Sequence, residues 1–288
     1  MGVNIQTIKD IRFFLARELE ETYQKQEINA LANIIIETVI GVTKLHGLYM
    51  TEQPIKRDQA AKIIDICNEL KTGKPVQYIL GKTIFYDCII KVTSATLIPR
   101  PETEDLVDLI INENRSIQGN ILDIGTGSGC IAISLAKNLP RAVITGIDIS
   151  EDALVVAKEN ALINNVPVSF IKGDIFNFYF EKYNNTDIIV SNPPYVRNIE
   201  KQLMNKNVLD FEPHMSLFVT DKDPLVYYKA ILKVSEKILK SGGRLYFEIN
   251  EVMGRSMVQL LEASGYSEIE IVLDINSKER IIKGTKNG

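Results

Sequence analysis

Apolar residues in the first 80 positions recur every three or four residues, with polar residues between them. These stripes run through positions 8–19, 28–42 and 60–67. A repeat of three to four residues places apolar side chains on one face of a helix. We therefore predict three amphipathic helices, which pack through these faces as a small helical domain over residues 1–76.

The pattern then changes and favours a short β-hairpin. Residues 78–92 are rich in β-branched and aromatic types, with a turn point at Asp87. Two prolines interrupt regular structure soon afterwards, and the next helix is predicted to begin near Thr103. Residues 77–100 are therefore interpreted as a hairpin linker.

From residue 120 onwards, short apolar runs alternate with helical stretches. Runs of five to seven nearly continuous apolar residues are typical of strands buried on both faces of a parallel sheet. The predicted strands of this kind are 120–124, 142–148, 168–172, 186–191 and 243–249, and two further strands, 268–275 and 279–284, are predicted to close the chain. The predicted helices are 131–136, 151–162 and 224–239, and Gly242-Gly243 is expected to end the last of them. The alternation predicts a doubly wound α/β fold over residues 101–288.

A glycine-rich turn connects the first of these strands to its helix. Glycine lets the backbone turn tightly and approach a ligand, and the free N–H groups at a helix start attract negative charge. The next strand ends in a carboxylate, Asp148, which suits a ribose diol. The predicted cofactor-binding residues of these two loops are Asp123, Gly125, Thr126, Gly127, Ser128, Gly129 and Asp148.

A second motif, Asn192-Pro193-Pro194-Tyr195, follows the fourth predicted strand. The two prolines fix the backbone and remove two N–H donors at the binding edge of the sheet. Asn192 Oδ1 and the Pro193 carbonyl can each accept one N–H of a planar amino group, and Tyr195 can stack on its flat face. Because such a nitrogen is a weak nucleophile, fixed orientation and proton acceptors assist its reaction. The motif predicts chemistry on an amide or aromatic amino group.

Composition narrows the range of partners. The 288 residues carry 33 Lys and Arg against 37 Asp and Glu, and the first 80 residues carry ten of each, so the acidic excess lies in the remainder. Binding to nucleic acid usually requires a basic surface on the protein. Three scattered cysteines and two histidines favour neither a disulfide framework nor a metal site, and no apolar run is long enough to span a membrane. We expect a cytoplasmic monomer without a metal, a membrane or direct nucleic acid as partner.

The glycine loop resembles the signature of S-adenosylmethionine-dependent methyltransferases. Cys130 occupies the position where a dinucleotide pattern requires glycine, whereas the spacing G-x-G-x-G after Asp123 agrees with that family. In that family the end of the third strand borders the adenine, which here corresponds to Asp174, and either Ile175 or the following Phe176 can pack on the ring. The resemblance implies a Rossmann-like catalytic domain.

A longer series of segments resembles the release factor glutamine methyltransferase family, known as PrmC or HemK. The series includes "RPETE" at 100–104, the glycine loop and "NPPY", and it extends over nearly the whole chain. The resemblance implies methyl transfer from S-adenosylmethionine to the amide N5 of the glutamine in the Gly-Gly-Gln motif of bacterial class 1 release factors. S-adenosylhomocysteine is then the product.

The same resemblance implies roles for further residues. The N-terminal helices are expected to bind the release factor, and segment 97–102, with Arg100 and Glu102, is expected to line the glutamine pocket together with Asn192–Tyr195. Asn192 also borders the cofactor. From the residues alone, Arg100 and Glu102 could equally order their loop through an ion pair, and Glu212 could contact cofactor or substrate.

Two alternatives stay open at this stage. An adenine-N6 methyltransferase acting on DNA or RNA shares the "NPPY" motif, but it needs a module that contacts phosphates and flips a base. A non-catalytic module that holds a translation factor is the other alternative. Salt-sensitive nucleic-acid binding favours the first of these, and full function without Asn192 favours the second.

Overall fold

The computed structural model describes residues 5–177 and 179–288. The chain divides into two compact units, and the first four residues of the predicted domain 1–76 lie outside the described residues. The first unit comprises the chain up to Gly81 together with Asn205–Phe211, and the second comprises Lys82–Met204 and Glu212–Gly288. The described helices are α1 Ile8–Leu19, α2 Lys25–Ile40, α3 Lys44–Tyr49, α4 Arg57–Leu70, α5 Val76–Leu80, α6 Pro101–Glu113, α7 Cys130–Asn138, α8 Glu151–Ile163, α9 Lys206–Phe211, α10 Val226–Ile238 and α11 Gly254–Ala263.

The first unit is built from α1–α5 and α9, and its core is the set of apolar stripes seen in the sequence. Ile11, Leu15, Ile35 and Ile63 are fully buried in one cluster. The three predicted helices are confirmed as α1, α2 and α4. The end of the second was placed too late, because Gly41 adopts a left-handed conformation with φ of 80° and ends α2 at Ile40.

The predicted hairpin forms, but it is shorter than expected. Its strands are β1 Lys82–Phe85 and β2 Cys88–Lys91, which pair antiparallel around a turn that contains Asp87. Tyr78 to Leu80 were expected in the hairpin and instead belong to helix α5. The Pro75 carbonyl accepts hydrogen bonds from the N–H groups of Tyr78 and Ile79 and so starts this helix. These local bonds make the segment helical although its residues are of types that favour strands.

Seven strands of the described chain form the main sheet of the second unit, in the order β10-β11-β9-β6-β3-β4-β5. These strands are β3 Asn120–Ile124, β4 Val143–Asp148, β5 Val168–Lys172, β6 Thr186–Ser191, β9 Leu239–Glu248, β10 Tyr266–Leu273 and β11 Glu279–Lys286, and a separate small pair is β7 Val196–Arg197 with β8 Phe218–Val219. Strands β9, β6, β3, β4 and β5 are parallel, whereas β11 lies antiparallel between β9 and β10. The predicted α/β class is confirmed.

Two element boundaries differ from the prediction. Helix α6 begins at Pro101, two residues before Thr103, because proline is favoured in the first turn, where its missing N–H is not needed. Gly242 and Gly243 do not end α10, which stops at Ile238, and they lie instead within β9. Gly242 has φ of 72° there, next to an irregularity in the pairing of β9 with β6.

The parallel arrangement has a direct consequence for function. The carboxyl ends of β3, β4, β5 and β6 meet at one edge of the sheet, where the loops of such folds bind ligands. Among the described residues, no helix combines the length and the apolar character that crossing a membrane requires.

Candidate functional site

A cavity of about 390 Å³ lies at this edge, within the second unit. Its size falls in the usual range for small-ligand sites. The predicted site residues that line it are Arg100, Gly125, Thr126, Gly127, Ser128, Asp148, Asp174, Ile175, Asn192, Pro193 and Pro194. The predicted site residues outside the lining are Glu102, Asp123, Gly129 and Tyr195. The loops singled out in the sequence thus converge on one space.

The three glycines of the loop after β3 serve two different purposes. Gly125 and Gly127 have φ of 75° and 53°, and a Cβ added to either meets no atom within 4 Å. Since both residues line the cavity, they leave open space where a ligand can approach the backbone. Gly129 is instead a packing position, because a Cβ there would lie 2.9 Å from the Phe170 ring and 3.1 Å from Ala157.

Asp148 holds the glycine loop from the end of β4. Its Oδ2 accepts the Gly127 N–H at 2.8 Å, and its Oδ1 accepts the Ser150 N–H at 2.9 Å. Burial raises the pKa of Asp148, and the backbone donors at Ser150 and Gly127 oppose that rise. The carboxylate therefore joins the loops after β3 and β4 at the wall of the cavity.

Asp123, near the end of β3, is a fully buried carboxylate with one satisfied oxygen. Thr126 Oγ1 donates to Oδ2 at 2.6 Å, and Oδ1 has no hydrogen-bond partner in the described structure. Burial raises the pKa of Asp123 to about 7, and the charge of Asp148 adds to this rise. A buried polar oxygen without a partner is costly, and the Ala132 main chain, which favours the ionised carboxylate, offsets part of this cost.

Asp174 organises the loop after β5. Its two oxygens accept the Phe176 N–H at 2.9 Å and the Asn177 side-chain amide at 2.7 Å. The loop then presents Ile175 and Phe176 to the cavity, and the Phe176 ring lies 5.5 Å from that of Tyr227 between centroids. Tyr227 on α10 is a lining aromatic that sequence reasoning missed.

The loop after β6 lies beside the glycine loop. Ser191 Oγ donates to the Ile124 carbonyl at 2.5 Å and joins the ends of β6 and β3. Asn192 Nδ2 donates to Thr103 Oγ1 at 3.3 Å. Tyr195 donates its hydroxyl to Glu248 Oε1 at 2.9 Å, and burial together with the Glu248 charge raises the pKa of Tyr195 well above its usual value.

Thr103 and Glu248 were both missed as site residues. Thr103 Oγ1 donates to Glu248 Oε2 at 2.6 Å, and both residues are buried. Glu248 ends an apolar strand, β9, that is almost wholly buried over its second half. A charged residue within such a run is the sequence signal that could have revealed it, because buried charges are rare without a partner.

Arg100 pairs with Glu212 rather than with its neighbour Glu102. Arg100 Nη2 lies 2.6 Å from Glu212 Oε1, and the Ile98 N–H donates to Glu212 Oε2 at 3.2 Å. The Glu212 side chain is only 1% exposed. The pair therefore holds the segment before α6 against the chain at Glu212, and Arg100 contributes to the cavity wall.

Two further kinds of chemistry, a reactive thiol and a bound metal ion, find little support in the described residues. Cys130 lines the cavity, but burial raises its pKa to about 12, so the thiol stays protonated at neutral pH. Within residues 5–177 and 179–288, no group of three or more His, Cys, Asp or Glu side chains could hold a metal ion.

Comparison with known proteins agrees with this geometry. Residues 103–210 match the family described as Methyltransferase small domain, and residues 14–81 match the PrmC N-terminal domain. The chain is 43% identical to a release factor glutamine methyltransferase of Flavobacterium psychrophilum, over 96% of this chain and 98% of that protein. A protein of the same name from Bacteroides thetaiotaomicron is 41% identical, over 96% and 99% of the two chains.

A solved structure shares the fold. The crystal structure of a methyltransferase from Pyrococcus furiosus aligns with a TM-score of 0.52 at 16% identity, over 81% of this chain and all of that one. At this identity the likeness shows the fold alone. The extent and level of identity to the curated relatives show the family itself. The chain belongs to the release factor glutamine methyltransferase family.

Proposed function

We propose that this protein transfers a methyl group from S-adenosylmethionine to the side-chain amide N5 of the glutamine in the Gly-Gly-Gln motif of bacterial class 1 release factors. The observation that carries the proposal is the single cavity lined by both the glycine loop and Asn192–Pro194. A cofactor and a planar amide can therefore meet in one place. The names of the relatives support the glutamine as the target rather than adenine.

The residues around the cavity fit this cofactor. Gly125 and Gly127 leave room for its close approach, Asp148 stands at the strand end where a ribose diol is bound in such folds, and Asp123 keeps one oxygen free for a donor. Ile175 borders the same space. When bound, the cofactor supplies a methyl group on a positively charged sulfur, and S-adenosylhomocysteine is released.

Asn192 and Pro193 act on the substrate amide in this proposal. Asn192 Oδ1 and the Pro193 carbonyl accept hydrogen bonds from the two amide N–H groups, which orients the nitrogen and raises its electron density as the reaction proceeds, and the methylated nitrogen gives up one of these protons to water. Pro194 stiffens the loop. Stacking of Tyr195 on the amide stays a prediction, since its hydroxyl binds Glu248 and its side chain is outside the cavity lining.

The release factor is proposed to bind through two parts of the chain. Within segment 97–102, Leu97, Pro99 and Arg100 line the cavity and are proposed to contact the glutamine side chain, with Glu102 further along the same segment. The helical domain 1–76 is proposed to hold the body of the release factor, with 77–100 as linker and 101–288 as catalytic domain. The balanced charge of the first 80 residues supports a protein as partner rather than a polyanion.

The proposed substrate also suggests where and how the enzyme acts. Release factors serve cytoplasmic translation, so we place the activity in the cytoplasm, with the enzyme as a monomer that needs neither membrane nor nucleic acid. Methylation that survives nuclease treatment, and gel filtration of the enzyme at its monomer mass, are the expected results.

A labelled-methyl assay tests the function. Purified release factor and labelled S-adenosylmethionine are incubated with the enzyme, alongside a release factor whose Gly-Gly-Gln glutamine is replaced by alanine. We expect label on the first protein alone, and equal label on both would refute the substrate assignment. Asn192→Ala should lower kcat by about 100-fold or more and change cofactor affinity only modestly, because the lost acceptor acts mainly in the transition state.

A further inference from the structure

A continuous path of hydrogen bonds runs from Asn192 into the core of the second unit. Asn192 Nδ2 donates to Thr103 Oγ1, and Thr103 Oγ1 donates to Glu248 Oε2. The second Glu248 oxygen accepts from Tyr195, and the Glu248 main-chain carbonyl accepts from Tyr228 at 2.9 Å. Both ends of the Asn192–Tyr195 motif are thus connected to one buried carboxylate.

The number of protons along this path decides its direction. A carboxylate only accepts hydrogen bonds, and a threonine hydroxyl has a single proton to donate. Since Thr103 gives that proton to Glu248, its remaining capacity is to accept, and only the NH2 side of the Asn192 amide can satisfy it. A reversed amide would place Asn192 Oδ1 against the lone pairs of Thr103.

We propose that Glu248, acting through Thr103, is a positioning residue that keeps Asn192 Oδ1 free to accept a hydrogen bond from the substrate amide. The inference rests on the proposed function, because it assigns an acceptor role to that oxygen. Asn192 and Thr103 both line the cavity, whereas Glu248 does not. Glu248 therefore works through its neighbours and does not contact the substrate.

The energetic cost of burying the Glu248 carboxylate supports a positioning role for this residue. Glu248 is 1% exposed, and a buried charge is costly unless hydrogen-bond donors compensate for the lost water. Burial raises its pKa, while the hydrogen bonds from Thr103 and Tyr195 and the charge of Arg280 oppose that rise. An apolar side chain would fill the same volume without this cost, but it would leave Thr103 free to donate its proton towards Asn192.

The first test combines substitutions in a cycle. Thr103→Val removes the hydroxyl with little change of shape, Glu248→Met removes the acceptor, and Thr103→Ser restores the hydroxyl. We expect Thr103→Val and Glu248→Met to lower single-turnover methylation by about 10- to 100-fold, because a misplaced acceptor loses most of its effect, whereas Thr103→Ser stays near the wild-type rate. Affinity for S-adenosylhomocysteine should be unchanged in all three.

Measuring Thr103→Val both in the wild type and in the Asn192→Ala variant distinguishes a positioning role of Thr103 from a structural one. In Asn192→Ala, Thr103→Val should cause almost no further loss, because its effect passes through the missing side chain. Equal losses in both backgrounds would show that Thr103 supports the fold instead, and would overturn the proposal. Thr103→Val also covers the case in which Glu248→Met does not fold.

A second readout does not require activity. In protein labelled with ¹⁵N-asparagine, the Asn192 side-chain NH2 is assigned by its loss in Asn192→Ala. Its hydrogen exchange should be slow in the wild type and in Thr103→Ser, and faster in Thr103→Val. Exchange that is unaffected by Thr103→Val would refute the hydrogen-bond path, whereas a wild type that leaves release factors unmodified would refute the proposed function alone.

Discussion

Asp123→Asn replaces a buried carboxylate by a neutral group of the same shape. Asp123 is fully buried, receives one hydrogen bond from Thr126 and has one oxygen without a partner in the described structure. Burial is the main reason that its pKa rises from 3.8 to about 7. The folded protein therefore binds this proton more tightly than the unfolded chain does.

The magnitude follows from this difference. A rise of roughly three pH units at about 1.4 kcal/mol per unit makes ionised Asp123 a penalty of about 4 kcal/mol. Because the folded state holds the proton more tightly, the free energy of unfolding falls as pH rises from about 4 to about 7. Above about pH 7 this carboxyl group no longer changes the free energy of unfolding. The free energy of unfolding of Asp123→Asn does not fall in this way, because asparagine does not ionise. The variant should therefore be the more stable protein above pH 7, although an unpaired amide N–H offsets about 1–3 kcal/mol of that advantage.

The cofactor should show the opposite preference. The resemblance to S-adenosylmethionine-dependent methyltransferases implies that the acidic residue before the glycine loop, here Asp123, lies near the amino group of the cofactor, and a cation at that place favours the ionised carboxylate. Affinity for S-adenosylhomocysteine should therefore rise with pH by up to about tenfold per unit until about pH 7. The Asp123→Asn variant should lose that slope.

Two measurements on the same proteins check this reasoning. Urea unfolding between pH 5 and 8 gives the free energies of wild type and Asp123→Asn, and calorimetric titration gives their dissociation constants. The variant serves as the control for ionisation of the cofactor itself. Parallel pH profiles of the two dissociation constants would refute the assignment of Asp123 as the titrating group.

Two further predictions concern the glycine loop and the hydrogen bonds by which Asn160 on α8 joins that loop to β2. Gly127→Ala should weaken cofactor binding by about tenfold or more, because its Cβ enters the cavity, and the left-handed backbone costs about 1–2 kcal/mol of stability. Gly41→Ala has the same type of strain outside the cavity, so it should lose stability without loss of affinity, as unfolding and binding measurements will show. Asn160→Leu should lower the free energy of unfolding by about 3 kcal/mol or more, because it leaves the buried Ser128 carbonyl and the half-buried Lys91 N–H and carbonyl without their partner. Asn164→Leu removes a similar pair of bonds to Ile89 near solvent and should cost less than about 1 kcal/mol, and equal losses in urea unfolding would contradict the reasoning.

Local patterns in the sequence determined most of the fold. Helical stripes predicted α1, α2 and α4, and short apolar runs predicted the strands of the main sheet, because the spacing of apolar residues records which side of an element is buried. Motifs at the ends of parallel strands could be placed together without coordinates, since these ends share one edge of the sheet. The convergence of the glycine loop and Asn192 on one cavity follows from this rule.

Other features depended on contacts between distant parts of the chain. Thr103 and Glu248 are 145 positions apart, and Arg100 and Glu212 are 112 apart, so no local pattern joins them. The insertion of β11 between β9 and β10 was likewise settled by pairing between distant strands. The sequence by itself determined that the glycine loop and Asn192–Pro194 reach the binding edge, because local apolar periodicity marks the strands and the carboxyl ends of parallel strands share that edge. Only the tertiary structure decided which buried side chains hold those residues in place, because a hydrogen bond depends on positions in space and not on distance along the chain.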